Sequence, residues 1–141
     1  MRGIPAHLLL GTDEPVPAVL SLRAGPLQVR VRGTRLLAMD VAGHEVWHGG
    51  AFLYRDEGWG TPEPVADATR VEEREDGFTV LIEGHIPARH RIDLRIEITG
   101  SADGRLVYDA RATPCADLPA NRIGVCVLHP PSSFGRRIDV T

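Results

Sequence analysis

From Arg91 to Thr99 the chain alternates without a fault. Ile92, Leu94, Ile96 and Ile98 are apolar, and Arg91, Asp93, Arg95, Glu97 and Thr99 are polar. Successive side chains of a β-strand point to opposite faces, so this pattern specifies a strand with one buried face and one wet face. The same two-residue period recurs along the chain. Leu27, Val29 and Val31 alternate with Gln28, Arg30 and Arg32 before a turn at Gly33-Thr34. Arg35 to Val41 forms a second apolar run, ended by Gly43, and Glu45 to Arg55 a third, with a bulge expected at Gly49-Gly50. Ala68 to Arg74 and Phe78 to Glu83 flank Glu75-Asp76-Gly77, a hairpin turn because Asp-Gly tolerates positive φ. Asp103-Gly104 then leads into Leu106 to Ala112. Ile123 to Leu128 is almost continuously apolar, as a strand covered on both faces would be, and this places Cys126 in the core. No window supports a helix of three turns. Eight or nine short strands at intervals of roughly ten residues predict an all-β fold, an antiparallel β-sandwich.

At 141 residues the chain has the length of one domain. Residues 1–26, with Pro5, Pro15, Pro17 and Pro26, read as an irregular N-terminal arm, and 27–141 as the sandwich domain. Residues 56–66 form a loop by their glycine and proline content. Arg136 to Thr141 begins another alternating stretch, with Ile138 and Val140 on one side, and the chain stops inside it. It therefore reads as the first part of a longer protein, with the sandwich incomplete. Leu8-Leu9-Leu10 is too short an apolar run for a secretory signal or a membrane span, so the expected compartment is the cytoplasm.

Composition excludes several function classes. The net charge is −3, so no basic field draws the chain to nucleic acid or to an anionic membrane. All 16 basic residues are arginine, a bias that a G- and C-rich genome produces, and Schiff-base or P-loop lysine chemistry is thereby excluded. Cys115 and Cys126 lack CxxC spacing and further cysteine partners. His44 and His48 are four residues apart but have no carboxylate in HExxH order, while His85 and His90 flank a turn at Ile86-Pro87; no metal site is expected. No glycine pattern cradles a dinucleotide or phosphate, so no cofactor is expected. No serine lies in a nucleophile elbow, and Cys126 and His129, three apart on a strand, face opposite ways.

The segment Asn121-Arg122-Ile123-Gly124-Val125-Cys126-Val127-Leu128-His129-Pro130 has polar groups at both mouths of an apolar strand. Such groups commonly anchor loops through backbone carbonyls; they also stand where a ligand would meet them. The run is similar to the Asn-Arg-Ile-Gly-x-Cys-Val-Leu-His-Pro string in the N-terminal domain of bacterial D-apionate lactonases. The resemblance extends to Ala24-Gly25-Pro26-Leu27, to Gly43-His44-Glu45-Val46, to the block from Tyr54 to Thr61, and to the hairpin from Ile98-Thr99-Gly100 to Asp103-Gly104. It covers roughly residues 24 to 141.

The resemblance implies a β-rich, supersandwich-like module placed before a TIM-type barrel, in an enzyme that opens the lactone of an oxidised branched pentose. The implied partner is that catalytic barrel, in the same or a companion chain, with a sugar acid as ligand. The family's catalytic residues are expected in the barrel and transfer to no position here. Lactone hydrolysis needs a nucleophile, a base and oxyanion donors. Arg55, Arg122 and His129 are the available donors, and Trp59 is an aromatic on which a sugar can rest, so these four are the candidate binding residues. One reading is a non-catalytic module of a lactonase. The other is a stand-alone carbohydrate-binding or interaction domain, although with aromatics at 5% a broad stacking platform is not expected.

Overall fold

The structure, a computed structural model, describes residues 5–13, 15, 17–137 and 139. It is an antiparallel β-sandwich of two sheets. The strands are β1 (Leu20–Ala24), β2 (Leu27–Arg32), β3 (Arg35–Val41), β4 (His44–Trp47), β5 (Gly49–Arg55), β6 (Val65–Arg74), β7 (Gly77–Ile86), β8 (Ile92–Ser101), β9 (Leu106–Pro114) and β10 (Arg122–Leu128). The first sheet runs β1-β2-β3-β5-β10 with β4 paired to β3, and the second runs β6-β7-β8-β9. The one α-helix described is a single short turn, Ala6–Leu10, closed by Gly11 in the left-handed region. No helix among the described residues is long and apolar enough to cross a membrane.

The alternation in the sequence becomes the core. Ile92, Leu94, Ile96 and Ile98 of β8 are buried, and Arg91, Asp93, Arg95 and Glu97 are exposed. On β7, Phe78, Val80, Ile82 and Ile86 join them. The opposing sheet contributes Leu27, Val29, Val31, Leu36, Phe52 and Tyr54. Two devices tie the sheets together at their ends. The turn at Gly25 (φ +53) presses against the β8–β9 turn so closely that a Cβ there would stand 2.7 Å from the Ala102 carbonyl oxygen. Across the sandwich, the Tyr108 hydroxyl donates to the Thr34 carbonyl at 3.0 Å.

Burial pushes the Tyr108 phenol up to about 12, against about 10 in an unfolded chain. Between those two values the folded state holds a proton that the unfolded state has lost, so folding stability falls as pH rises through that window. In an alkaline titration of the native protein, the Tyr108 tyrosinate signal should appear about two pH units later than that of the urea-unfolded chain. Coincident titration curves would mean that the phenol is not buried.

Several expectations need correction, the largest of them last. Strand structure begins at Leu20, inside the segment read as an irregular arm, because Leu22 and Ala24 pair with Val29 and Leu27 and reach the core. The chain breaks between β4 and β5 at His48 rather than by a bulge at Gly49-Gly50; the register shifts lie in the β2–β3 and β3–β4 pairings, at Leu37 and Val46. His85 is in β7, within the pairing to Asp93, and not in a turn. Arg136, Arg137 and Asp139 are not in a strand, since the chain leaves β10 through Pro130 and a 3-10 turn, Pro131–Ser133; Ile138, Val140 and Thr141 lie outside the described residues.

The largest correction concerns β10. It was expected to be covered on both faces, with Cys126 in the core, yet Ile123 is 55% exposed, Val125 50% and Leu128 56%, and Cys126 is exposed. The two sheets are offset, and this is the physical reason. Ile123, Val125 and Val127 stand opposite Tyr54, Phe52 and Gly50 on the inner face, but the four-stranded sheet does not reach over them. On the outer face Cys126 and Leu128, both exposed, stand opposite Ala51 and Gly49.

Candidate functional site

The start of β10 and the end of β5 meet at one corner of the larger sheet. Arg122 is directly opposite Arg55, and both point to the outer face. Like charges placed opposite one another in a ladder repel. Among the described residues neither arginine takes part in an ion pair. The Arg122 guanidinium instead lies over the Trp59 ring, 5.8 Å from its centroid, within the range of cation–π attraction. The two arginines, with Leu53, Ile123, Gly124, Val125 and Cys126, line an open cavity of about 250 Å³.

The loop that carries Trp59 is built from its sequence, Asp56-Glu57-Gly58-Trp59-Gly60. The Asp56 carboxylate accepts the N–H groups of Gly58 at 2.9 Å and Gly60 at 2.7 Å, the pattern by which aspartate organises turns. The Trp59 N–H donates to the Asp56 carbonyl at 3.0 Å, which closes the turn. Trp59 itself sits at φ +65, a left-handed conformation that costs a bulky residue energy. The turn therefore holds the indole outward, more than half exposed, beside Arg122. Asp56, next in sequence to Arg55, spends a carboxylate oxygen on this turn rather than on the arginine.

Asn121 fastens the loop to β10. Its side-chain amide donates to the carbonyls of Asp56 and Glu57, each at 3.0 Å, and its backbone N–H donates to the Arg55 carbonyl at 2.9 Å. Of the polar groups at this mouth, Asn121 thus acts as an anchor and Arg122 is left to face outward. The loop anchor was legible only as a polar residue at a strand end; that Asp56 shapes the turn carries a clearer signal, an aspartate followed by glycines at the second and fourth positions.

The structure brings three of the four candidate residues together and separates the fourth. Arg55, Trp59 and Arg122 share the corner, whereas His129 follows the far end of β10. Seven residues of strand at about 3.3 Å each put it roughly 23 Å away. Near that far end a second cavity, of about 350 Å³, is lined by Arg35, Leu37, His48, Ala51, Cys126 and Leu128, among others. His48 Nδ1 there lies 3.0 Å from Glu45 Oε1. No hydrogen bond joins His48 to Cys126 among the described residues.

A second polar cluster lies on the outer face of the smaller sheet. His85 Nδ1 is 2.8 Å from Asp67 Oδ2, and Arg91 bridges Asp67 and Asp93 at 3.4 and 2.7 Å. The hydrogen bond from His85, aided by the nearby Arg91 charge, holds the Asp67 carboxyl below the usual carboxylate range. All four side chains are open to solvent to some degree, and such surface ion pairs contribute little to stability. The cluster solvates the face of β6, β7 and β8.

Comparison with known proteins follows the same lines. The sequence profile of the D-apionate lactonase N-terminal domain matches residues 7–141. The chain is 30% identical over 132 residues to the D-apionate lactonase of Brucella anthropi, a stretch that takes in 92% of this chain and 22% of that protein. It therefore spans about a fifth of the length of the curated relative it matches. No solved structure matches. The chain belongs to the family of D-apionate lactonase N-terminal domains.

Proposed function

We propose that this chain serves as the non-catalytic N-terminal module of a sugar-acid lactonase of carbohydrate catabolism, working in the cytoplasm beside a catalytic barrel in the same or a companion chain. Its own contribution is to hold the carboxylate of the sugar acid at the Arg55–Arg122 corner. One observation carries this reading: two arginines stand opposite each other without an ion-pair partner among the described residues, next to a tryptophan fixed in the left-handed region. A carboxylate between them relieves the repulsion and gains charge-assisted hydrogen bonds from planar, forked donors. Trp59 offers a flat apolar surface to the sugar carbons. Opening a lactone creates the carboxylate that the closed ring lacks, so the corner favours the opened acid over the lactone. His129 lies too far along β10 to share this ligand.

The family name supplies the acid to try. Titrating the chain with D-apionate should move the backbone amide resonances of Arg55, Trp59 and Arg122 and leave that of His129 in place. Arg122→Ala should abolish the shifts without unfolding the chain, because the side chain is exposed. Shifts that persist in Arg122→Ala, or that cluster elsewhere, would overturn the assignment. The outward presentation of Trp59 favours a second reading, a stand-alone carbohydrate-binding domain. Under that reading a neutral pentose would bind at Trp59 as well as the acid does, and binding would survive the loss of Arg122.

A further inference from the structure

Among the described residues the larger sheet ends in β1 and β10 and the smaller in β6 and β9, and β4, paired only to β3, leaves a further open side. Each exposes backbone N–H and C=O groups on one side, and proteins that must stay unpaired protect such edges with charge or proline. Every open strand but β10 carries charge or proline inside its run, Glu45 on β4 among them. β1 carries Arg23, β6 carries Asp67, Arg70, Glu72, Glu73 and Arg74, and β9 carries Asp109, Arg111 and Pro114. β10 does not. After Arg122 it reads Ile-Gly-Val-Cys-Val-Leu, with no charge and no proline along its open side.

The faces of the strand tell the same story. The offset of the sheets leaves β6 and β10 overhanging, and their inner faces differ in kind. β6 turns Thr69, Val71 and Glu73 inward, a mostly polar set suited to water. β10 turns Ile123, Val125 and Val127 inward, and the first two are half exposed. Its outer face adds Cys126 and Leu128, beside Ala51 and Leu53 of β5. An edge that is open, uncharged and apolar on both faces has the character of an interior strand.

We infer that β10 is the docking edge for an extended segment of the polypeptide that follows this module in the longer lactonases of the family. That segment adds a strand beside β10, continuing the larger sheet, and carries apolar side chains on both of its faces. The occupant is argued from two facts. The matched stretch makes up 22% of the B. anthropi relative, so most of that protein lies outside the module. The chain also leaves the larger sheet directly from β10, through Pro130 and the turn Pro131–Ser133. Strand addition satisfies the open backbone groups, and the added layers cover Ile123 and Val125 on one side and Leu128 on the other. The docked segment also closes one wall of the cavity at Arg55 and Arg122, since Ile123, Gly124 and Val125 line both.

The inference rests on the reading of the chain as a lactonase module, and hydrogen exchange separates the two. Exchange is followed by mass spectrometry in the purified 141-residue chain and in the intact B. anthropi D-apionate lactonase, over Ile123–Leu128 and the segment aligned with it. The expected result is fast exchange at alternate β10 amides in this chain and at least a hundredfold slower exchange at the same positions in the intact enzyme. Fast exchange in both would overturn the docking edge while leaving family membership and the ligand corner untouched. Slow exchange in both would also overturn it, and sedimentation would then show whether a second copy of the chain occupies the edge. Protection in the isolated chain but not in the enzyme would overturn it as well. Failure of the D-apionate titration bears on the corner alone and leaves this measurement unaffected.

Discussion

Ile96→Ala is expected to destabilise the chain by about 2–5 kcal/mol, the range for removing a fully buried branched side chain without collapse of the cavity. Ile96 has no exposed surface and stands on the central strand β8, between Ile82 of β7 and Ala110 of β9. Its loss removes contacts to both neighbours and to the opposing sheet, and the flanking Leu94 and Ile98, already packed, have no room to swing inward. Urea denaturation monitored by tryptophan fluorescence measures it. Val125→Ala on β10 provides the contrast, at under about 1 kcal/mol, because half of that side chain is already in water. Similar losses at the two positions would contradict the offset of the sheets.

The second large effect is expected at Gly84. It pairs with Ala66 in the β6–β7 ladder, where β6 carries an irregularity between Ala66 and Ala68. A Cβ at Gly84 would collide with the carbonyl oxygen of Val65, and 3.1 Å separates it from the carbonyl carbon. The obstacle is backbone, so no side chain can rotate away from it. Gly84→Ala must push β6 off β7 at this end, at a cost of about 1–3 kcal/mol or more. The displacement also moves Asp67, so the His85–Asp67 contact should break. The acid limb of the stability profile reports this. The depressed Asp67 pKa contributes stability that is present above the unfolded carboxylate range and lost as pH falls through the folded value. In Gly84→Ala that contribution should vanish, and a wild-type acid limb with wild-type stability would contradict the close approach.

How much of this was legible in the sequence depends on what each residue's neighbours are. The faces of β8 were fully readable, because one strand between two neighbours under one opposing sheet obeys a single rule of alternation. The Glu75-Asp76 turn was readable in place, with Gly77 beginning β7 directly after it, but not in conformation, since neither Asp76 nor Gly77 takes the positive φ expected of an Asp-Gly turn. β10 was misread because an apolar run states only what a strand is compatible with. Whether Ile123 and Val125 are covered depends on how far a distant sheet extends, and that offset has no local signature. The strand β1 was missed since the prolines around it mask a five-residue alternation, Leu-Ser-Leu-Arg-Ala.

The candidate site was legible in part. Arg122 and Arg55 were recognisable as donors, but their opposition follows from the β5–β10 register, a pairing across the intervening β6 to β9. Contacts of such sequence separation are set by topology, not by motif. His129 looked like a companion of Arg122 because seven residues are few along a sequence, whereas an extended strand turns them into opposite ends of a sheet.

We propose that this chain supports a sugar-acid lactonase without performing the hydrolysis. Hydrolysis of the lactone of D-apionate by the purified chain tests it most directly, with the intact B. anthropi enzyme as the positive control. No turnover above the uncatalysed rate is expected from the chain alone. Turnover that is abolished by a single substitution within residues 1–141, such as Cys126→Ala or His48→Ala in a variant that still folds, would contradict the account.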